Sequence, residues 1–530
     1  MLAFLFWSAF SVYGQITFSG GSQLVISSGA TVITNDITNS GGTIENNGDL
    51  SVNGNIVNNA DSLFDSGSSG TVTFEGSSAQ EITGTNDVVF FGTVKIDNSN
   101  GVALTNTSTG SDQTINGTLS FTSGKLTLNG FNLTLTNNST GADASTGYIV
   151  TNGTGAVKRT VGSTVASFPV GNSAYNPVTL SNSGTSDTYG VKAIDHEPAN
   201  ANTKHMVNRS WEISEETAGG SNLSVTAQWN SGETTTDFDL TACAVGLTAD
   251  AGTSYTWGAV DTASGTDPYT RVGTGFTGVG TFTVGDYYYA GITFDLKVIL
   301  AGAYNTTNNN MDKTLNDNSL IPTTDPYGLS TTVAAVPAGA VDWVEVQLRS
   351  GTTPTDTIKR YARFVNQAGQ VIEEDGSLMK VTGIEKNNDL YVSVHHRNHL
   401  PVMSASTVSF SVAAPAYNFT SNLAQAWDDA TVTTNDAMKE VESGTWALWD
   451  GDATVDGKVA YNGAGNDRID VLNTVGASTP GNTITNTYST KDVNMDGNVN
   501  YNGGGNDRIT ILNVVGASTP GSIIYKHLPH

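Results

Sequence analysis

Between Ile16 and about Thr140 the chain repeats one short pattern, and that pattern restricts its fold more than any other feature. Apolar and polar residues alternate over four or five positions and then stop at Gly or Asn. Examples are Gln23-Leu-Val-Ile26, Asp49-Leu-Ser-Val52 before Asn53-Gly54, Gly70-Thr-Val-Thr-Phe74, Gly92-Thr-Val-Lys-Ile96, Gly117-Thr-Leu-Ser-Phe121 and Lys125-Leu-Thr-Leu-Asn129. Period-two alternation marks strands with one buried face. A rung this short cannot close a core alone. Rungs recurring about every 20 to 25 residues bury their inward side chains against the next coil, which predicts a parallel β-helix, or β-solenoid, over 15–160, with Asn laddering at the turns. A meandering sandwich is the competing arrangement.

Beyond residue 160 the texture changes to longer strands. Ser167-Phe-Pro-Val-Gly171, Tyr175-Asn-Pro-Val-Thr-Leu180 and the spaced Trp211, Trp229 and Trp257 predict a β-sandwich over 161–292, with the tryptophans in its core. A second sandwich is expected over 293–419, from Phe294-Asp-Leu-Lys-Val-Ile-Leu300, Val341-Asp-Trp-Val-Glu-Val-Gln-Leu-Arg349, Arg360-Tyr-Ala-Arg-Phe-Val365 and Leu390-Tyr-Val-Ser-Val394. Helical periodicity hardly appears before residue 420. The expected fold class is therefore all-β, with a small module of helices and loops over 420–530.

Charge narrows the function. The sequence has 23 Lys+Arg against 49 Asp+Glu, a formal charge of −26, although only 14% of residues are charged. Without a basic surface, nucleic acid and anionic membranes are not expected partners. A single cysteine, Cys243, allows no intrachain disulfide and reads as a buried strand thiol. The apolar run Met1–Gly14 reads as a secretory signal peptide with the mature chain starting at Gln15, although no Lys or Arg precedes it. Secretion to the cell surface or beyond follows as an expectation, without a membrane span.

The chemistry concentrates in a duplication. Asp456-Gly-Lys-Val-Ala-Tyr-Asn-Gly-Ala-Gly-Asn-Asp-Arg-Ile469 matches Asp496-Gly-Asn-Val-Asn-Tyr-Asn-Gly-Gly-Gly-Asn-Asp-Arg-Ile509 at an offset of 40 residues, and both copies run on to Val-Gly-Ala-Ser-Thr-Pro-Gly. In the second copy Asp492, Asn494 and Asp496 stand at positions 1, 3 and 5 of a calcium loop. Gly497 is at 6, Asn498 at 7 with its carbonyl, and Asn500 at 9. Gly503 occupies position 12, so the flexible Asn502–Asn506 stretch is expected to loop out and deliver Asp507, with Ile509, Ile511, Leu512 and Val515 forming the apolar side of a short helix. The first copy offers Asp452, Thr454, Asp456, the Lys458 carbonyl and Asp467. Ala460 adds no side-chain oxygen there, and Asp450 stands nearby as a substitute. Ca²⁺ is the expected ion.

These tandem loops, each followed by an Asp and an apolar helix, resemble dockerin repeats, calcium-loaded modules that attach secreted proteins to cohesin-bearing partners. Dockerins carry Asp directly at position 12, and this chain departs from that by four residues. From about residue 294 onward, Val392-Ser-Val-His-His-Arg-Asn-His-Leu400, Gly444-Thr-Trp-Ala-Leu-Trp449 and the loops also resemble C-terminal regions of secreted, hemagglutinin- or adhesin-like surface proteins of Bacteroidetes. That resemblance implies export and no particular reaction.

A catalytic set is not evident. Lys95, Asp97 and Lys125 are isolated among Asn, Ser and Thr, and Glu373-Glu374-Asp375 reads as a solvated turn. His395, His396 and His399 form the sole histidine cluster. On one strand His395 and His399 would share a face, and two imidazoles plus a carboxylate suit zinc, but a hydrogen-bonded strand end is the plainer account. The expected function is a non-catalytic, calcium-binding surface protein for adhesion or extracellular assembly, with oligosaccharide recognition along the solenoid. A subunit of a polysaccharide-degrading system, or a self-assembling filament, is the alternative.

Overall fold

The structure, a computed structural model, describes residues 3–6, 10–11, 14–105, 112–199, 203–250, 252, 254–385, 388–410 and 415–529. Half of the Met1–Gly14 leader lies outside them; of the rest, the strands Ala3–Phe6 and Phe10–Ser11 pair in parallel with Gln23–Ile26 and Thr31–Thr34 at the start of the solenoid. The chain divides into two compact units, Met1–Ala290 and Gly291–His530.

The first unit opens with a β-solenoid of about seven turns. Asp49–Val52, Thr71–Phe74, Thr93–Asp97 and Leu119–Ser123 stack in parallel, so each recurring rung sits on the one before it. Leu50, Val52, Val72, Phe74, Val94, Ile96, Leu119 and Phe121 are buried, while the alternating Ser51, Thr73, Lys95 and Ser120 face outward.

The glycine that opens these rungs has a steric cause. A Cβ on Gly70 would lie 2.1 Å from the Gly48 carbonyl, one on Gly92 2.0 Å from that of Gly70, and one on Gly117 1.9 Å from that of Gly92. Successive coils touch backbone to backbone along this corner, where only glycine fits. Gly92→Ala is expected to destabilise the unit by about 1–3 kcal/mol, the scale of forced overpacking, measured by chemical denaturation. An unchanged midpoint would show that the coils are not in contact there. At another corner the buried Asn39 donates through Nδ2 to Asn58 Oδ1 at 2.9 Å, and Asn58 Nδ2 in turn reaches the Asp87 carbonyl at 2.6 Å. Buried amides thus satisfy one another from coil to coil without charge.

The solenoid passes into the following segment through a shared sheet. Val157–Val161 pairs in parallel with Leu133–Leu135 on one edge and antiparallel with Asp187–Ile194 on the other, within a nine-stranded sheet. An open parallel edge is thereby covered by an antiparallel strand. A five-stranded sheet built on Val178–Asn182, Leu223–Trp229 and Tyr269–Phe276 accompanies it, and one continuous apolar core runs from Phe18 to Val284. Trp211 and Trp229 are fully buried in it. Trp257 is half-buried, lying on Gly246 and Gly285, where a Cβ would meet its ring at 2.4 and 2.5 Å. Cys243 is buried in the strand Cys243–Thr248, and burial pushes its thiol up to about 12.

In the second unit the main sheet runs in the order Val371–Ile372, Thr357–Asn366, Ala340–Arg349, Asn388–His396, His399–Met403. Val344, Val346, Leu348, Val392 and Val394 fill one face, and the intervening Glu345, Gln347, Arg349 and His395 occupy the other. Glu373–Gly376 forms the expected turn with Glu374 and Asp375 exposed, while Glu373 itself is held by Arg363 at 2.8 Å and accepts the Lys380 N–H at 2.6 Å. Among the described residues no helix is long and apolar enough to cross a membrane.

Candidate metal centre

The duplication folds as two matching loops, each ending in a nine-residue helix, Asp467–Val475 and Asp507–Val515. Asn466 and Asn506 cap them by accepting the Ile469 and Ile509 N–H groups at 3.0 Å, a cap signal present in both copies. The strands cross-pair: Lys458–Ala460 joins Ile523–Tyr525, after the second helix, and Asn498–Asn500 joins Thr483–Thr485, after the first. Val471, Val475, Val459, Val493, Val499, Ile511, Val514, Val515 and Leu400 share one core. Ile509, expected on the apolar side, is instead 37% exposed, and Val514 takes the inward place.

Each loop turns about its first Asp. Asp492 Oδ1 accepts the Asp496 N–H and Oδ2 the Gly497 N–H, both at 3.0 Å, and Asp452 does the same with Asp456 and Gly457. Gly457 and Gly497 have φ of 82° and 83°, and Val455 and Met495 also lie in the left-handed region at 59° and 58°. A β-branched residue there is strained, which ties the loop shape to something other than local preference.

The loop-out delivers the distal carboxylate. Asp507 heads its helix fully buried, with Oδ1 accepting the Val493 N–H at 2.8 Å and Oδ2 the Asn500 N–H at 2.9 Å. Asp467 likewise accepts the Thr454 and Ala460 N–H groups at 3.0 and 2.8 Å, and the Thr454 hydroxyl at 3.0 Å. Asn500 Oδ1, in the second loop, is buried without a hydrogen-bond partner. Asn494 turns its amide Nδ2 toward Asp496 Oδ2 and the Gly505 carbonyl, and the Asn498 N–H reaches Asp496 Oδ1 at 2.8 Å.

Electrostatically the loops are frustrated. Burial pushes Asp492 up to about 7 despite the nearby Arg397, and burial together with Asp492 does the same to Asp507. Burial and the adjacent Asp467 carboxylate push Asp452 up to about 7, and Asp467 is itself raised by burial. The first copy differs at Lys458, whose ammonium binds Asp456 Oδ2 at 2.8 Å where the second copy has neutral Asn498. Asp450 does not compensate, because it is taken by Lys439 at 2.7 Å.

Among the described residues no three Asp, Glu, His or Cys side chains meet as one metal-holding group. Each loop instead places two buried carboxylates beside hydroxyl, amide or main-chain oxygens. All of these donors are oxygen, a set that fits a hard cation and not zinc. The orphaned Asn500 oxygen is the feature that a cation there would satisfy.

The histidines form a turn, not a single strand face as expected. The strand ending at His396 reverses at Arg397-Asn398, and His396 pairs with His399. The Gly302 N–H donates to His399 Nε2 at 3.0 Å, so the proton sits on His399 Nδ1, which faces His396 Nδ1 at 2.9 Å. His396 Nε2 then donates to Asp342 Oδ2 at 3.1 Å. Burial holds both imidazoles below their ordinary range, hence neutral. With both nitrogens of each ring engaged, neither has a lone pair left for zinc.

Reading the sequence overlooked what surrounds this turn. Arg397 Nε donates to Asp342 Oδ2 at 2.9 Å, its guanidinium lies 4.4 Å from the Tyr488 ring, and it also donates to the Ser489 carbonyl. Asn398 binds both loops: its Nδ2 donates to the Asp492 carbonyl at 2.6 Å, and its own carbonyl accepts the Asp452 N–H at 3.2 Å. Two polar residues between two histidines were the available signal. Compared against protein families, curated proteins and solved structures, the chain matches none.

Proposed function

We propose that the chain is a secreted, calcium-binding surface protein for adhesion or extracellular assembly, without catalytic activity. In this reading the strands of 161–292 and 293–419 form two sandwich domains that follow the β-solenoid in the chain, and the duplicated loops are a dockerin-like module. The observation that carries it is the pairing of Asp492 with Asp507, both buried and both pushed up to about 7, in a loop that also holds the partnerless Asn500 oxygen. A buried charge without a counter-ion is expensive, and Ca²⁺ supplies the missing one. Asp492, Asp496, Asn500, Asp507 and main-chain oxygen near Asn498 would hold it in the second loop, and Asp452, Thr454, Asp456 and Asp467 in the first.

The second loop binds more tightly, because Lys458 already neutralises Asp456 in the first. Lys458→Asn is expected to raise calcium affinity of the first loop by roughly tenfold, the order of one charge-assisted contact, read by calorimetric titration. Unchanged affinity would show that Asp456 is not a ligand.

Export rests on the Met1–Gly14 leader. Immunolabelling of unpermeabilised producing cells, with the mature amino terminus determined, is expected to find the chain outside and starting at Gln15. A chain confined to the cytoplasm would overturn the proposal. The second reading, attachment to a cohesin-type partner of a polysaccharide-degrading system, requires capture of that partner by the full chain and its loss with EDTA.

A further inference from the structure

The polar face of the second unit's main sheet forms the floor of a cavity of about 890 Å³. That volume lies within the roughly 300–1,000 Å³ of small-molecule sites. In a chain so poor in bases it is lined by Arg349, Arg360, Arg397 and Lys526, against Glu345 from the floor and Asp452 and Asp456 from the first loop.

Arg360 binds Glu345, and Arg397 binds Asp342. Arg349 has no carboxylate partner among the described residues. It is 1% exposed, donates from Nη2 to Gln347 Oε1 at 2.8 Å, and leaves Nε without a partner. Arg397 Nη2 is also buried and unpartnered on this wall. Buried guanidinium N–H groups left unpaired are costly, and a carboxylate is the group whose two oxygens match their spacing. Around this position the wall is rigid and mixed: proline rings at Pro326, Pro354 and Pro401 lie among Gln347, Thr357 and Thr490. Such a wall suits a sugar ring, which presents both a C–H face and hydroxyl edges.

From this geometry we infer that the cavity binds an acidic saccharide through its uronate carboxylate, and that calcium in the first loop switches the cavity on. The four lining cations and three lining carboxylates leave one positive charge, and two are added when the Asp452–Asp456 loop takes Ca²⁺. The first loop, at −2 from Asp452 and Asp456 without the ion, then no longer repels an anion at the cavity rim. This inference rests on the calcium reading proposed above.

The test is calorimetric titration of digalacturonate into the full chain, with calcium equal in cell and syringe or removed with EDTA, beside separate titration of calcium alone. Digalactose serves as the neutral control and a glutamate-rich tetrapeptide as the other source of carboxylate. Expected are binding of digalacturonate only, a loss of about tenfold for each of Arg360→Gln and Lys526→Gln, and a comparable loss without calcium. Arg360 and Lys526 are partly exposed and their replacements leave the core intact. Equal binding of digalactose, tighter binding of the tetrapeptide, or no effect of either variant overturns the site. Calcium taken up normally while digalacturonate binds equally with and without it overturns the switch alone. Failure of calcium to bind at all overturns the switch together with the reading beneath it.

Discussion

Stripping calcium from the chain at pH 7.5 is expected to lower the melting temperature of the Gly291–His530 unit by about 10–20 °C and to leave that of Met1–Ala290 unchanged. An ion at a hundredfold excess over its dissociation constant contributes about 2.7 kcal/mol per site, so two loops contribute about 5 kcal/mol. For a unit of this size each kcal/mol shifts the midpoint by about 2–4 °C. The pH dependence separates this from generic salt effects. Without the ion, Asp452, Asp492 and Asp507 keep their protons to about 7 in the folded chain, whereas the unfolded chain releases them near the ordinary aspartate value of about 3.9. The folded state therefore binds more protons between those limits, and its stability falls as pH rises from about 4 to 7. Calcium replaces the protons, so the ion's stabilisation should grow over the same interval. Scanning calorimetry from pH 5 to 8, with and without EDTA, measures both slopes. Parallel slopes would mean that the loops hold no ion.

Asp342→Ala is expected to cost about 3–5 kcal/mol, because it strands a buried guanidinium. Asp342 is fully buried and accepts from Arg397 at 2.9 Å, His396 at 3.1 Å and the Tyr488 hydroxyl at 2.7 Å. Burial alone would raise it, yet Arg397 and His396 hold it down at about 2. A depressed carboxylate stabilises the fold above its unfolded value, and that contribution is lost as pH falls from about 4 toward 2. Arg397 and Asn398 carry the damage onward, since they hold the Ser489 and Asp492 carbonyls of the second loop. Calcium affinity should therefore drop with stability, which denaturation and ion titration on the same variant would show together. A loss below about 1 kcal/mol would contradict the ion pair.

The solenoid was legible because its information is local and repeated. A rung such as Gly92-Thr-Val-Lys-Ile96 declares strand period, buried face and corner in five residues, and the Gly70–Gly92–Gly117 stack repeats the same constraint. The turns of the two loops were legible for the same reason: the repeated Asp-x-x-x-Asp-Gly order wraps each segment about its first carboxylate, and Asn502–Asn506 leads to Asp507 at the head of its helix. The polar network around Asp342 was not, because Asp342, Arg397 and Tyr488 lie far apart in the chain: pairing of Ala340–Arg349 with Asn388–His396 brings the first two near each other, and Tyr488 arrives from the segment before the second loop. His396 and His399 misled for a related reason. Period-two reasoning assumes an unbroken strand, and the reversal at Arg397-Asn398 turns neighbours along the chain into partners across a hairpin. The Lys458–Asp456 pair, which weakens one copy, was visible in sequence as a substitution but not as a contact.

Equilibrium dialysis of the full chain against radioactive Ca²⁺ is the most direct measurement. The account predicts two ions bound per chain at pH 7.5, one in Asp507→Asn, one in Asp467→Asn, and the wild-type retaining the tighter of the two when calcium is limiting. No bound ion, or two ions still bound in both variants, would contradict it.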